Sequence, residues 1–196
     1  EQQEVKVYYD SRYGLLPIPT RKGYSFNGWR LNGTNITQNT ICRMTGDHVL
    51  MAAWTANRYS VTFNANGGCV ETSLAAVTFD SRYGSLPIPT RLGYTFTGWM
   101  LGEEMVHADT VVNTVGNHEL VAQWAVNQYW VSFNANGGVG GCESMQDYGN
   151  EIVPPTVTRE GCTFEGWSPS VPVTVPASNS TYVAKWKVWR ATVTST

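Results

Sequence analysis

The feature that most constrains this chain is internal repetition. Tyr9-Asp10-Ser11-Arg12-Tyr13-Gly14 returns, without a gap, as Phe79-Asp80-Ser81-Arg82-Tyr83-Gly84, an offset of 70 residues. Gly23-Tyr24-Ser25-Phe26-Asn27-Gly28-Trp29 returns at the same offset as Gly93-Tyr94-Thr95-Phe96-Thr97-Gly98-Trp99, and His48, Leu50, Ala52 and Trp54 return as His118, Leu120, Ala122 and Trp124. A more divergent third copy carries Val131–Gly138 for Val61–Gly68, Gly161-Cys162-Thr163-Phe164-Glu165-Gly166-Trp167 for the central motif, and Tyr182-Val183-Ala184-Lys185-Trp186 at its close. In that copy Met145-Gln146-Asp147 precedes Tyr148-Gly149, where the others have Asp-Ser-Arg before Tyr-Gly. A fixed period of this length marks a tandem array of small units that stack on one another.

The boundaries that follow are residues 1–56 for repeat 1, 57–126 for repeat 2, 127–188 for repeat 3, and 189–196 as the start of a following segment. Trp189-Arg190-Ala191-Thr192-Val193-Thr194 reads as the opening of another strand. Repeat 1 has no counterpart of the Tyr59–Phe63 run, so it lacks its first strand. The linkers, Thr55–Arg58 and Ala125–Gln128, are too short for free reorientation, which predicts an extended, semi-rigid rod.

Within a unit, period-two alternation predicts four strands. They are Tyr59/Val61/Phe63, then Ala75/Val77/Phe79 (Val5/Val7/Tyr9 in repeat 1), then Tyr94/Phe96 running into Gly98-Trp99, then Leu120/Ala122/Trp124. Trp99 has the wrong parity for the Tyr94/Phe96 face, and a bulge at the preceding glycine would turn it inward. Leu-Pro-Ile-Pro-Thr-Arg is extended but cannot be a central strand, because proline donates no hydrogen bond. Helical periodicity is poor; the best candidate is Glu103–Val106. Trp29, Trp54, Trp99, Trp124, Trp167 and Trp186 recur at equivalent positions, as core aromatics do, and compensate for the small core of such units.

The sequence resembles the Listeria–Bacteroides repeat, the internalin B-repeat family. The resemblance rests on strand–Asn-Gly-Gly, then Gly-Tyr-x-Phe-x-Gly-Trp, then Leu/Tyr-x-Ala-x-Trp, and covers nearly the whole chain. It implies tandem β-grasp-like (ubiquitin- or SUMO-like) modules, a β-rich α+β class with little helix, on secreted or cell-surface proteins. It implies a spacer or adhesive role and no catalytic activity. Cys162 stands where the motif has Tyr24 and Tyr94.

The residues bearing chemistry support the same reading. The net charge of −2, with 14% charged residues, offers no cationic footprint for nucleic acid or an acidic membrane. No apolar run is long enough to cross a bilayer, and the N-terminal residues do not read as a signal peptide. The expected location is extracellular or cell-surface. His48, His107 and His118 lack a second ligand or base at metal or triad spacing; neither a metal nor a cofactor is expected. Asp10-Ser11 and Asp80-Ser81 read as turns bonding their own backbone. The Asn-Gly-Gly segments precede no helix and carry no Gly-Lys-Ser/Thr, so they are not phosphate loops.

Cys42, Cys69, Cys142 and Cys162 form no CxxC pair; they are either two disulfides of unassigned connectivity or buried free thiols. Asn32, Asn35 and Asn179 begin N-x-Thr sequons in predicted loops, meaningful in a eukaryotic secretory setting. Trp130 and Trp189 lie outside the recurring tryptophans and are candidate exposed contacts. Three functions compete: a spacer or adhesion segment; a structural subunit joined to a protein neighbour by strand addition at the incomplete repeat; and a glycan-binding module using Trp130 or Trp189.

Overall fold

The computed structural model describes residues 3–195. Among them there is no helix, and the chain is all β, which corrects the α+β expectation. Twelve strands are present: β1 Tyr24–Leu31, β2 Thr34–Ile36, β3 Met51–Ala56, β4 Arg58–Asn64, β5 Leu74–Thr78, β6 Tyr94–Leu101, β7 Glu104–Val106, β8 His118–Val126, β9 Gln128–Asn134, β10 Cys142–Asp147, β11 Cys162–Ser168 and β12 Ser180–Val188. They form three small sheets in tandem, with orders β2-β1-β3, β5-β4-β8-β6-β7 and β10-β9-β12-β11.

By internal contacts the described chain divides into two compact units. One comprises the described residues up to Asn64, with Thr72–Pro87 and Trp99–Val121; the other comprises Ala65–Glu71, Ile88–Gly98 and the described residues from Ala122 onward.

In the first unit, β4 runs parallel to β8, with Phe63 opposite Leu120, and antiparallel to β5, with Tyr59 opposite Val77. Its inward positions are those the alternation predicts: Val61, Phe63, Val77 and Leu120 are all buried. Trp99 is 1% exposed, its ring 5.1 Å from Phe63 and its indole N–H donating to Pro87 O. The Glu103–Val106 segment is no helix. Gly102, at φ 59°, turns β6 back on itself, and β7 pairs with β6 through Trp99 and Val106. Asn32-Gly33 does the same for β1 and β2 at φ 46° and 83°, as positive-φ turn residues do.

Among its described residues repeat 1 contains the counterparts of β6, β7 and β8 only. Val5/Val7/Tyr9, expected as a strand, lies outside any strand. The reason is the missing neighbour: the equivalent β5 is held by β4 alone, and repeat 1 has no β4. The same absence leaves Trp29 half-buried, although its N–H still reaches Pro17 O at 2.9 Å.

In the second unit, β9 pairs parallel to β12, with Phe133 opposite Tyr182, and antiparallel to β10. Val131, Phe133, Ile152, Val175 and Tyr182 form the core. The register shifts between Phe164 and Gly166, where Gly166 has φ 107°, and the same shift falls between Phe26 and Trp29 around Gly28 at φ 102°. Gly28 and Gly166 are the counterparts of Gly98, the glycine at which the parity of Trp99 asks for a bulge. Of the six recurring tryptophans, only Trp99 is fully buried; the other five are half-buried. Phe96–Trp124 and Phe164–Trp186 meet edge-to-face at 5.6 and 5.5 Å. The Trp124 and Trp186 N–H groups donate to Ala65 O and Ala135 O.

Backbone bonds correct the alignment of the third copy. Asp80 N donates to Val112 O, and Gly149 N donates likewise to Val175 O; Tyr83 N donates to Thr110 O, and Ile152 N to Val173 O. Tyr148 is therefore the counterpart of Phe79, and Ile152 that of Tyr83. An Asp-Ser-Arg/Tyr-Gly comparison aligns the wrong tyrosine, because the third copy keeps the backbone turn and not its side chains.

Candidate functional site: the inter-repeat junctions

The most highly organised contacts outside the cores lie where one repeat meets the next. The link is shorter than the sequence suggests: a single residue, Asn57, stands between β3 and β4, and Asn127 alone stands between β8 and β9. Each asparagine is held three ways. Asn57 N donates to Gly23 O at 2.9 Å, Asn57 O accepts from Phe79 N at 2.9 Å, and its side-chain oxygen accepts from Ser25 Oγ at 2.6 Å. Asn127 repeats the pattern with Gly93 O, Tyr148 N and Thr95 Oγ1, at 2.9, 2.9 and 2.6 Å.

An aromatic ring then seats on a glycine. The Phe79 ring occupies the space a β-carbon on Gly23 would need, and the Tyr148 ring does so at Gly93. Both glycines have left-handed φ, 76° and 77°, so the position demands glycine twice, by conformation and by space. Tyr24 and Tyr94 meet these rings edge-on at 5.7 and 5.9 Å, and Arg21 and Arg91 lie 3.8 and 3.9 Å over the tyrosine faces. At the first junction the Tyr24 hydroxyl donates to Asp80 Oδ2 at 2.7 Å. That hydrogen bond to a carboxylate, then desolvation, raises the Tyr24 pKa above its ordinary value.

The histidines have structural partners. His48 Nε2 and His118 Nε2 each lie 2.7 Å from the hydroxyls of Tyr13 and Tyr83, and their Nδ1 atoms lie 3.0 Å from Gly46 O and Gly116 O. A Tyr hydroxyl donating to Nε2, with Nδ1–H donating to the carbonyl, satisfies both ring nitrogens. Burial raises the pKa of Tyr13 and of Tyr83. In repeat 3 both partners change together: Ile152 replaces the tyrosine, Ser180 begins β12 where His118 begins β8, and Ser180 Oγ is buried without a hydrogen-bond partner. His107 is exposed. Among the described residues no group of three His, Cys, Asp or Glu is placed to hold a metal. Asp10 and Asp80 sit in the expected turns at φ 62° and 66°, with Ser11 N and Ser81 N donating to Tyr8 O and Thr78 O.

All four cysteines are free, so the disulfide alternative is corrected; the buried-thiol alternative holds only for Cys42, since Cys69 and Cys142 are exposed and Cys162 is half-buried. The repeats explain why no bridge is required. Cys42 O, Val112 O and Val175 O accept equivalent bonds, from Asp10, Asp80 and Gly149, so Cys42 fills a valine site as a small apolar residue. Cys69 likewise matches Val139, each forming an isolated antiparallel bridge, with Thr90 and Thr158 respectively. Of the sequon asparagines, Asn32 lies in the β1–β2 turn, Asn35 lies within β2 rather than in a loop, and Asn179 accepts a bond from Trp130 N at 3.0 Å; all three are exposed. Asn117 makes the same bond to Ser60 N, which gives the asparagine a structural role in both repeats. Trp130 is 46% exposed and Trp189 is 68% exposed, the latter with its indole N–H on Thr163 Oγ1.

Sequence reasoning missed the glycine–aromatic junction. Its signal was present in the recurrence of Gly23, Gly93 and Gly161 and of Tyr9, Phe79 and Tyr148, but nothing local ties a glycine to a ring more than fifty residues away.

These features define a protein built of tandem all-β repeats with tied junctions. The family model of the Listeria-Bacteroides repeat domain matches residues 1–53, 59–123 and 129–185, and the chain belongs to that family. It is 33% identical over 154 residues to a putative membrane protein of Evansella cellulosilytica, covering 76% of this chain and 23% of that protein. It is 33% identical over 172 residues to a putative Gly-rich membrane protein of the same organism, covering 84% and 19%. It is 37% identical over 84 residues to Internalin H of Listeria monocytogenes, covering 41% and 15%. The chain thus spans less than a quarter of the length of each of these relatives. No solved structure matches it.

Proposed function

We propose that the chain is a non-catalytic tandem-repeat module of a secreted or cell-surface protein, acting as a semi-rigid spacer or adhesion segment. The observation that carries this reading is the repeated junction: a one-residue link, three hydrogen bonds and a ring on a glycine, built the same way twice. A joint tied at that many points resists bending, and a spacer requires that property. The family membership and the names of the relatives, an internalin and two putative membrane proteins, support a surface setting. The histidines, whose ring nitrogens face tyrosine hydroxyls and backbone carbonyls, are engaged in structure and support a non-enzymatic role. In this reading each complete repeat is a β-grasp-like module and the modules follow one another in an extended array.

The test is reach. Beads carrying the chain through a C-terminal tag are sized by dynamic light scattering for arrays of two, three and four repeats. A spacer adds a constant increment of layer thickness per repeat; thickness independent of repeat number overturns the proposal.

A further inference from the structure

Repeats 2 and 3 each tie the strand by which the chain enters to the strand by which it leaves. In repeat 3 the entering strand is β9 and the leaving strand is β12. They lie side by side and parallel, with Val131 opposite Ser180 and Asn134 opposite Val183. They occupy the middle of the sheet, between β10 and β11. Val131, Phe133, Tyr182 and Ala184 are buried along them, which keeps water from the ladder. In repeat 2 the entering β4 and the leaving β8 pair in the same way, with Val61 opposite His118 and Asn64 opposite Val121.

Side chains extend the tie beyond the ladder at both ends. Ahead of it, Asn179 Oδ1 accepts from Trp130 N at 3.0 Å, and Asn117 Oδ1 accepts from Ser60 N at 2.8 Å. Past it, the Asn-Ala-Asn-Gly-Gly turn bonds back to the leaving strand. Asn136 Nδ2 donates to Ala184 O at 3.0 Å, and the Trp186 indole N–H donates to Ala135 O at 2.9 Å. Asn66 Nδ2 and the Trp124 indole do the same with Ala122 O and Ala65 O, at 3.1 and 3.0 Å. The second glycine of the turn makes room for the indole. A β-carbon on Gly138 would lie 2.8 Å from the Trp186 ring, and one on Gly68 would lie 2.7 Å from the Trp124 ring.

Tension along a tandem array enters repeat 2 at Asn57 and leaves it at Asn127. It draws β4 backward from its start and β8 forward from its end. Parallel strands drawn in this way slide along their common axis, so the hydrogen bonds between them are strained together. A pull on the same ends of both strands would break those bonds one after another. We propose that repeats 2 and 3 are load-bearing units, in which the parallel pair and its asparagine and tryptophan ties form a shear clamp against tension along the chain. The clamp gives one role to two recurring motifs, Asn-Ala-Asn-Gly-Gly and Leu/Tyr-x-Ala-x-Trp. It goes beyond a spacer role, because a spacer holds its length whereas a clamp holds against force. It acts inside one repeat, so it stands or falls independently of the reach of the array.

The test is single-molecule force spectroscopy of the 196-residue chain held between two marker domains. Forced opening is governed by the unfolding rate. Pulled end to end, repeats 2 and 3 should open in separate steps of about 20 nm, the extended length of such a repeat less its folded span. For comparison, the chain is held through azide-bearing residues replacing Gln128 and Ser178, both exposed. These positions stand at the same end of the β9–β12 pair, so this pull unzips the ladder that the end-to-end pull shears. Repeat 3 should open at a several-fold higher force in the end-to-end pull. Asn179→Ala removes the tie to Trp130 at an exposed side chain. At a fixed end-to-end force it should speed the opening of repeat 3 about fivefold, the effect of one lost hydrogen bond, and leave repeat 2 unchanged. Equal opening forces in the two geometries, or an opening rate unchanged by Asn179→Ala, overturns the proposal.

Discussion

Gly93→Ala isolates the junction from the rest of the fold. The methyl group at Gly93 meets two costs. The first is conformational: at φ 77° an L-residue stands in the left-handed region, which costs about 1 kcal/mol. The second is steric: the Tyr148 ring occupies the β-carbon's place. The ring must leave its seat or the backbone must shift, at about 1–3 kcal/mol by analogy with overpacked cores. The expected total is about 2–4 kcal/mol. Gly161→Ala supplies the control within the same molecule. Its φ is 69° and the space around it is open, so it should cost only the conformational part, about 1 kcal/mol. Urea unfolding, followed by far-ultraviolet circular dichroism together with limited proteolysis at Val126–Gln128, reads both. Gly93→Ala should lower the midpoint more and make the link cleavable under native conditions, while Gly161→Ala leaves proteolysis unchanged. Equal losses for the two variants would refute the claim that the ring on the glycine ties the repeats together.

Other consequences follow from particular contacts. Trp99→Ala, which removes the largest of the fully buried side chains and strips Phe63 of its ring partner, should cost about 3–5 kcal/mol in urea unfolding, whereas Trp29→Ala, at the half-buried equivalent, should cost clearly less. Tyr83→Phe should cost about 1 kcal/mol, since it leaves His118 Nε2 without its donor; adding His118→Ser to that variant, on the model of Ile152 and Ser180, should cost less than the sum of the single changes. Tyr24 and Tyr83 have folded-state pKa values raised above the ordinary value of about 10, so their contribution is complete below that pH and is lost as pH rises through the folded values; alkaline titration should loosen the first junction, and Tyr24→Phe should remove the Tyr24 part of the pH dependence.

The strands were legible because alternation is a property of the strand itself. Val61, Phe63, Leu120, Val131 and Phe133 are buried where period two places them, and the register shifts at Gly28 and Gly166 fall at the glycines equivalent to Gly98, where the parity of Trp99 asks for a bulge. What alternation does not encode is whether a partner exists. Val5/Val7/Tyr9 alternates as well as Ala75/Val77/Phe79, yet only the latter run has β4 to pair with. β7 was missed for a related reason: three residues are too few to show a period, and the turn at Gly102 carries the information instead. The free cysteines became intelligible only when Cys42 was seen to fill a valine site. The junction was hidden in the recurrence of a glycine and an aromatic far apart in sequence, and the misalignment of Tyr148 with the wrong tyrosine concealed half of that recurrence.

Whether tied junctions make the repeats a semi-rigid extended array, as proposed, is read by small-angle scattering of the chain under conditions where it is monomeric. A compact domain of this length has a radius of gyration of about 16 Å. A tied array should give a value well above that, with a skewed distance distribution ending in a long tail, and Gly93→Ala should broaden the distribution. A radius near that of a compact globule, or a distribution unchanged by the substitution, contradicts it.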